Sequence, residues 1–283
     1  MAHAAFIRLW YHGLVDEGRQ DERQRDNWQA LGIRTDVPHP ARIYDYLLGG
    51  TDNFAVDREL ADRQLQVQPQ ILDSARGNRK FLVRAVRFLR ESGIRQFLDI
   101  GTGLPTSPNT HEIAAPDSRV VYVDNDPMVV LRAESLTAGC ATTTVVRADM
   151  RDAGEVLAAA GKHLDFGQPV ALMFLASLHN LPDSDDPAGL VARYQAATAP
   201  GSYVAISHVT GDFSPEQMKR TTEENARRGV TFVGRARHEV EGLFNDWDLV
   251  DPGVVPIAYW RPDDGRPDAN ADRVWGYCGV ARG

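Results

Sequence analysis

The sequence predicts an α/β fold: a doubly wound, mostly parallel seven-stranded sheet with an antiparallel terminal hairpin, preceded by an N-terminal helical extension. From residue 96 short apolar strands alternate strictly with helical stretches. Those strands are apolar on both faces, as in a parallel sheet covered on each side. Near the C-terminus the rhythm breaks, and two strand-like runs follow one another with no helix between them.

Residues 1–36 mix aromatic and apolar positions (Phe6, Leu9, Trp10, Tyr11) with a polar stretch from Asp16 to Asp26, and read as a peripheral extension. Pro38 and Pro40 punctuate the chain. A short helix is expected over Ala41–Leu48, closed by Gly49-Gly50. Glu59–Gln66 reads as a second helical piece, and Pro69 opens a longer one to about Glu91. On it Phe81, Leu82, Ala85, Val86 and Leu89 recur at helical spacing, with Arg76, Lys80, Arg84 and Arg87 on the other side as a solvated face. Residues 37–92 therefore read as a helical cover, and residues 93–283 as the sheet domain.

Strands are expected at Gln96–Ile100, Val120–Asp124, Thr144–Arg147, Val170–Ala176 and Tyr203–Ser207. Helices fall around Asn109–Ala115, Met128–Thr137, Ala153–Ala160 and Pro187–Ala197. Right-handed crossovers then wind the sheet in both directions from its centre. After a helical pair, Pro215–Arg228 and Arg235–Asn245, come Asp248–Val254 and Val274–Val280, the hairpin.

Composition narrows the function classes. A net charge of −8 argues against binding nucleic acid through its phosphates, so no nucleic-acid partner is expected. Two cysteines, far apart, form neither a disulfide framework nor a zinc site, and a reducing cytoplasm is the expected location. The longest apolar run, near Val170–Leu178, is too short to cross a bilayer, and no membrane partner is expected. The first residues do not read as a signal peptide. No G-x-S-x-G elbow or Walker sequence occurs. His111-Glu112 and His238-Glu239 begin like the zinc-protease helix, but Ala115 and Gly242 stand where the second histidine belongs, so no metal is expected.

In an open parallel sheet, ligands bind beyond the carboxyl ends of the strands where the winding reverses. The first strand ends in Asp99, Gly101, Thr102 and Gly103, a turn poor in side chains through which backbone can approach a ligand. The second ends in Asp124-Asn125-Asp126, where a carboxylate can accept both hydroxyls of a ribose. The third leads to Asp149-Met150, an acid for an adenine amino group and a thioether to pack on the ring. A pyrophosphate would be repelled by three acidic strand ends, whereas a sulfonium bearing an α-amino group would be attracted. Thr106 also occupies the third glycine's place of G-x-G-x-x-G. Cofactor-binding positions are thus expected at Asp99, Gly101, Thr102, Gly103, Asp124, Asn125, Asp126, Asp149 and Met150, with S-adenosylmethionine as the cofactor. Five parallel strands and a terminal hairpin are likewise the plan of the Rossmann-like class I methyltransferases.

Three stretches carry a resemblance to a known family: HPARIYDYLLGGTDNF (His39–Phe54), IRQFLDIGTGLPT (Ile94–Thr106) and VVYVDNDPMVV (Val120–Val130). They resemble an actinobacterial family of S-adenosylmethionine-dependent methyltransferases, formerly a domain of unknown function. The match runs from about Pro38 to the C-terminus. It implies the class I fold, with Asp99, Gly101, Gly103, Asp124 and Asp149 around the cofactor. Pro105 and Thr106 replace a further glycine common in methyltransferases, so a stiffer loop is expected.

Methyl transfer requires alignment of acceptor and methyl, and a base only where the acceptor must lose a proton. Strand four leads to Ser177, His179 and Asn180, and strand five to Ser207 and His208; either histidine could serve as the base. Tyr44 and Asp45 are the other catalytic candidates, on a segment, Ile43–Asn53, expected to close over the crevice. A small-molecule acceptor is expected. The run Phe174-Leu175-Ala176-Ser177 lacks the Asn/Asp-Pro-Pro-aromatic signature of amino methyltransferases, which leaves open a cofactor-binding regulator or scaffold without turnover. Thr106 and the hairpin disfavour a nicotinamide-dependent oxidoreductase.

Overall fold

The structure, a computed structural model, describes residues 28–267 and 269–283. Val37–Gly283 forms one unit and the residues up to Asp36 another. The first 27 residues of the expected extension lie outside the described residues.

Within Val37–Gly283 three helices precede the sheet: α1 (Pro40–Leu47), α2 (Ala55–Val67) and α3 (Ile71–Glu91). Pro40 opens α1, where its missing N–H would be unpaired in any case, and His39 Nδ1 accepts from Ala41 N at 3.3 Å. Asp57 caps α2 by accepting from Phe54 N at 2.8 Å, and its other oxygen accepts from His39 N. Ile43, Leu47, Leu60, Ile71, Ala75 and Val230 bury one another and hold the three helices together.

The alternating region follows as β1 (Gln96–Ile100), α4 (Thr110–Ile113), β2 (Arg119–Asp124), α5 (Pro127–Thr137), β3 (Thr143–Arg147), α6 (Ala153–Ala160), β4 (Ala171–Leu175), α7 (Pro187–Gln195) and β5 (Tyr203–Val209). Then come α8 (Pro215–Ala226), α9 (Arg237–Gly242), β6 (Asp248–Leu249), β7 (Val255–Pro256) and β8 (Gly276–Arg282). The strand order is β3-β2-β1-β4-β5-β8-β6, with β7 beside β8 off that path. The first five strands pair in parallel; β8 runs antiparallel to β5 and to β6. The winding therefore reverses between β1 and β4. There the carboxyl ends of two strands diverge and leave a crevice.

Of the strand expected over Asp248–Val254 only Asp248–Leu249 pairs, as β6, and β7 follows just beyond it at Val255–Pro256. Pro252 has no N–H to give a ladder, and Gly253 turns the chain at φ 79°. Among the described residues seven strands lie on the ladder path, and β7 is the eighth.

The two faces of the sheet pack differently. Leu98, Ile100, Val123 and Phe174 meet the α6–α7 side, while Phe97, Tyr122 and Met173 meet α3 through Phe81 and Leu89. Each large apolar side chain so buried contributes about 1.5–3 kcal/mol. One expectation for α3 fails. Arg84 is not on a solvated face: it is buried, and its guanidinium donates to Trp260 O and Ile257 O, both at 2.7 Å. The arginine thus satisfies carbonyls that the C-terminal loop would otherwise leave unpaired beneath the helix.

Candidate active site

A cavity of about 560 Å³ lies at the carboxyl ends of β1, β2, β4 and β5, covered by α1 and bordered by α3. Its size is that of a site for a small organic ligand. Asp99, Gly101, Thr102, Gly103, Asp124, Asn125, Asp149 and Met150, all expected from sequence, line it together.

The glycine turn makes the close approach possible. Gly101 has φ 72°, and a Cβ placed on it would stand 2.6 Å from Ser177 Cβ and 2.8 Å from Met150 Cε. No other residue lets the ends of β1 and β4 and the loop after β3 converge here. Gly101 N and Thr102 N donate to Val123 O, which ties the turn to β2.

Gly103 N donates to Asp124 Oδ2 at 2.9 Å, and Asp126 N donates to Asp124 Oδ1 at 3.0 Å. Asp124 is thereby aimed by backbone on both oxygens, with lone pairs to spare for a ligand's hydroxyls. Burial raises its pKa. Asp99 is buried and accepts from Thr110 Oγ1 at 2.7 Å; burial pushes it up to about 6. Asp149 is held below the usual carboxylate range by Arg151, whose backbone and side-chain N–H groups both donate to it. Among the described residues no cluster of His, Cys, Asp or Glu could hold a metal ion.

Asp126 does not line the cavity. It caps α5 by accepting from Met128 N at 2.7 Å, and its other oxygen faces His39 Nδ1 at 3.2 Å and Arg42 Nε at 3.6 Å. Its part is to position Asp124 through its own backbone N–H. Asp45 is a further correction. Its carboxylate turns away from the cavity and accepts from Asp52 N at 2.9 Å and Asn53 Nδ2 at 2.8 Å. A Cβ on Gly50 would overlap that carboxylate, so the glycine is needed for the turn itself. Asp52 Oδ1 then meets Arg132 Nη2 on α5 at 2.5 Å. Of the Ile43–Asn53 segment, only Ile43, Tyr44 and Leu47 line the cavity.

Tyr44 is at the cavity, but its hydroxyl is spoken for: it donates to Ala75 O at 2.9 Å and accepts from Asn78 Nδ2 at 3.0 Å. Asn78 Oδ1 in turn accepts from Ser207 Oγ, which accepts from Ala176 N. This relay fastens α1 through α3 to the ends of β4 and β5, and Tyr44 presents its ring rather than a free hydroxyl.

The two histidines separate. His208 is buried; Nδ1 donates to Val209 O at 2.7 Å and Nε2 accepts from Arg235 Nη1 at 2.8 Å. Burial drops its pKa to about 3. Both nitrogens are committed, so His208 has no lone pair for a base's role. His179 lines the cavity with its Nδ1 buried and unpartnered. Burial, with His208 and Arg235 nearby, puts its pKa well below the ordinary value. The ring is neutral at neutral pH.

Several lining residues were not foreseen. Arg79 Nη2 donates to Thr106 O and to Pro108 O, pinning the loop in which the third glycine is absent. Its Nε is buried without a partner beside the cavity, as is Ser177 Oγ. Gln64, Phe232 and Trp275 also line the wall. The sequence carries a signal for Asn78: Ser74 and Asn78 interrupt the buried face of α3 at the spacing that leads to Phe81 and Leu82.

The donor set fits an adenosyl ligand with a cationic amino-acid end: three carboxylates at the strand ends for an ammonium, ribose hydroxyls and an amine, and Arg79 for a carboxylate. It does not fit a pyrophosphate, which would meet those same carboxylates.

The sequence model of a family described as S-adenosyl methyltransferase matches residues 26–283. A crystal structure of a candidate methyltransferase from Thermobifida fusca is 41% identical, covers 88% of this chain and 96% of that one, and superposes with a TM-score of 0.81. A protein from Streptomyces avermitilis, of a family formerly without assigned function, is 42% identical over 88% of this chain and 98% of its own, with a TM-score of 0.82. No curated protein matches.

Proposed function

The chain belongs to the S-adenosyl methyltransferase family, and on that premise we propose how its residues divide the work and what kind of acceptor they serve. It is an S-adenosylmethionine-dependent methyltransferase; the acceptor we assign is a small molecule. The observation that supports this reading is the single cavity wall on which Asp99, Asp124 and Asp149 stand at successive strand ends around the Gly101–Gly103 turn. No helix among the described residues is long and apolar enough to cross a membrane.

Asp124, held by Gly103 N and Asp126 N, takes the ribose hydroxyls. Such charge-assisted bonds are worth about 1.5–3 kcal/mol each. Asp149 takes the adenine amine, with Met150 against the ring. Asp99 faces the ammonium, and Arg79 the carboxylate. S-adenosylmethionine supplies an electrophilic methyl on a sulfonium, whose thioether is the leaving group.

The remaining chemistry belongs to alignment and to one proton. Tyr44, Leu47 and Ile43 exclude water above the crevice. An acceptor O–H or N–H that attacks the methyl must lose its proton, and His179, neutral and unpartnered at Nδ1, is the group that receives it. His208 holds its place beside His179 at 5.7 Å, ring edge to face, with Arg235 behind it.

Calorimetric titration with S-adenosylhomocysteine and with NAD tests the binding assignment, and transfer of an isotope-labelled methyl group into a small-molecule extract tests turnover. Binding of NAD without S-adenosylhomocysteine would refute the first; label appearing only in protein or nucleic acid would refute the small-molecule acceptor.

A further inference from the structure

The cavity carries its charge at one end. Asp99, Asp124, Asp149 and Arg151 line it at the ends of β1–β3 and the loops they form, and Arg79, on α3, is tied to the loop after β1 through Thr106 O and Pro108 O. Asp185 stands 3.8 Å from Arg151, and His39 faces Asp126, so both belong to that end. The opposite wall is made largely of Ile43, Leu47, Ile71, Val230, Phe232 and Trp275, and the polar side chains among them, such as Gln64, Asn225, Tyr44, Asn78 and the two histidines, are neutral. Burial keeps both histidines uncharged at neutral pH. A carboxylate, phosphate or ammonium on the acceptor would find no free opposite charge on that lining, since Arg235 behind His208 is already paired with Asp183, and burying it would cost more than it returned.

That wall also carries aromatic rings set edge to face. His179 stands edge to face with Phe232 at 5.0 Å and with His208 at 5.7 Å. Trp275 continues outward to Phe213 at 6.4 Å, and Phe213 to Tyr277 at 5.7 Å, with Phe213 exposed at the surface. Aromatic faces and edges of this kind favour a planar partner.

One polar atom on the wall is left over. Asn225 Nδ2 donates to Thr221 O at 2.8 Å, which fixes that amide and turns its Oδ1 towards Gln64. Gln64 Nε2 donates to Asn225 Oδ1 at 2.8 Å, which fixes the second amide as well. Gln64 Oε1 is consequently an acceptor with no donor, on a side chain only 2% exposed that lines the cavity. Native interiors seldom leave such an atom unpaired.

We propose, resting on the methyltransferase reading above, that the methyl acceptor is an uncharged, planar aromatic molecule that donates an O–H or N–H hydrogen bond to Gln64 Oε1. In the transfer, a lone pair on a second oxygen or nitrogen of the acceptor, distinct from the donor held by Gln64, forms the bond to the methyl carbon. The carbon–sulfur bond breaks with its electron pair staying on sulfur, and the proton of that attacking group passes to His179.

The test uses the full chain saturated with S-adenosylhomocysteine and four probes of one skeleton: 2-naphthol, its methyl ether, 2-naphthoate and the saturated alcohol 2-decalol. Calorimetry is expected to rank 2-naphthol about tenfold or more above each of the others. The ether lacks the donor, the naphthoate adds a charge and the decalol is not flat. Gln64→Leu should bring 2-naphthol down to the affinity of its ether while S-adenosylhomocysteine binds as before. If naphthoate, ether or decalol binds as well as 2-naphthol, or if none binds, the proposal is overturned. Unchanged 2-naphthol affinity in Gln64→Leu overturns it too; should that variant fail to fold, the probe series on the unaltered chain decides alone. Failure of S-adenosylhomocysteine to bind in the first titration would instead strike the cofactor assignment, so the two failures are separable.

Discussion

At the strand-end side of the cavity, three carboxylates stand within one turn or loop of consecutive strands, whereas the opposite wall is gathered from α1, α2, the segment after α8 and the C-terminal loop. The first end is local in sequence and charged. The second is assembled from residues as far apart in the chain as Ile43 and Trp275 and is neutral. The charged end is aimed by backbone: Gly103 N and Asp126 N hold Asp124, and Arg151 N holds Asp149. The neutral end is aimed by side chains buried together, through Tyr44, Asn78 and Ser207 on one flank and Gln64 with Asn225 on the other. Backbone geometry can be kept while side chains change, so this division lets one cofactor site serve with different acceptor walls.

The comparison is broken most severely at Gly101. Gly101→Ala puts a Cβ 2.6 Å from Ser177 Cβ at a left-handed φ, and is expected to lower stability by about 1–3 kcal/mol and to abolish adenosyl-ligand binding. Thermal unfolding and titration check both. Arg235→Met comes next. It leaves Leu178 O, Leu181 O and His208 Nε2 short of donors, at a cost of about 1–3 kcal/mol by denaturant unfolding. Because the residue serves the neutral end, the intact fraction should still bind S-adenosylhomocysteine.

Asp124→Ala should weaken S-adenosylhomocysteine by about tenfold or more, about 1.4 kcal/mol, with little effect on folding. Asp99 gives the same end a pH signature. Its native pKa of about 6 lies above the unfolded value, so its contribution to the empty protein's stability is complete at low pH and is lost as pH rises through 6. Affinity for the cationic S-adenosylmethionine runs the other way: it requires the carboxylate and should fall as pH drops below about 6. Asp99→Asn should flatten that dependence. His208, depressed to about 3, contributes stability above the unfolded histidine value that is lost as pH falls from there towards 3. The smallest effect is expected of Tyr44→Phe. Loss of the bond to Ala75 O should cost about 1 kcal/mol of stability and leave S-adenosylhomocysteine affinity within about twofold.

Locality also decided what could be read from the sequence. The alternation from residue 96, the Gly101–Gly103 turn and the acids at 99, 124 and 149 are each a short pattern, and the structure brings those residues to one cavity. Adjacency places Asp126 with them in the sequence, but Pro127 starts a helix and the carboxylate is drawn to cap it. The Asp45–Asn53 run sets a density of polar groups beside two glycines. Those groups satisfy one another in a turn, which a sequence cannot distinguish from a set waiting for a ligand. Arg84 and Arg235 are buried beneath carbonyls contributed by distant loops, and Gln64 owes its free oxygen to Asn225, 161 positions away. Helical periodicity marks a face; it does not say what the face meets.

The division of the cavity is tested most directly by a crystal structure of the chain with S-adenosylhomocysteine. It should place Asp124 within hydrogen-bond distance of both ribose hydroxyls and Asp149 beside the adenine amine, with the wall of Gln64, Phe232 and Trp275 left uncovered. A ligand lying along that wall, or ribose hydroxyls turned away from Asp124, would contradict it.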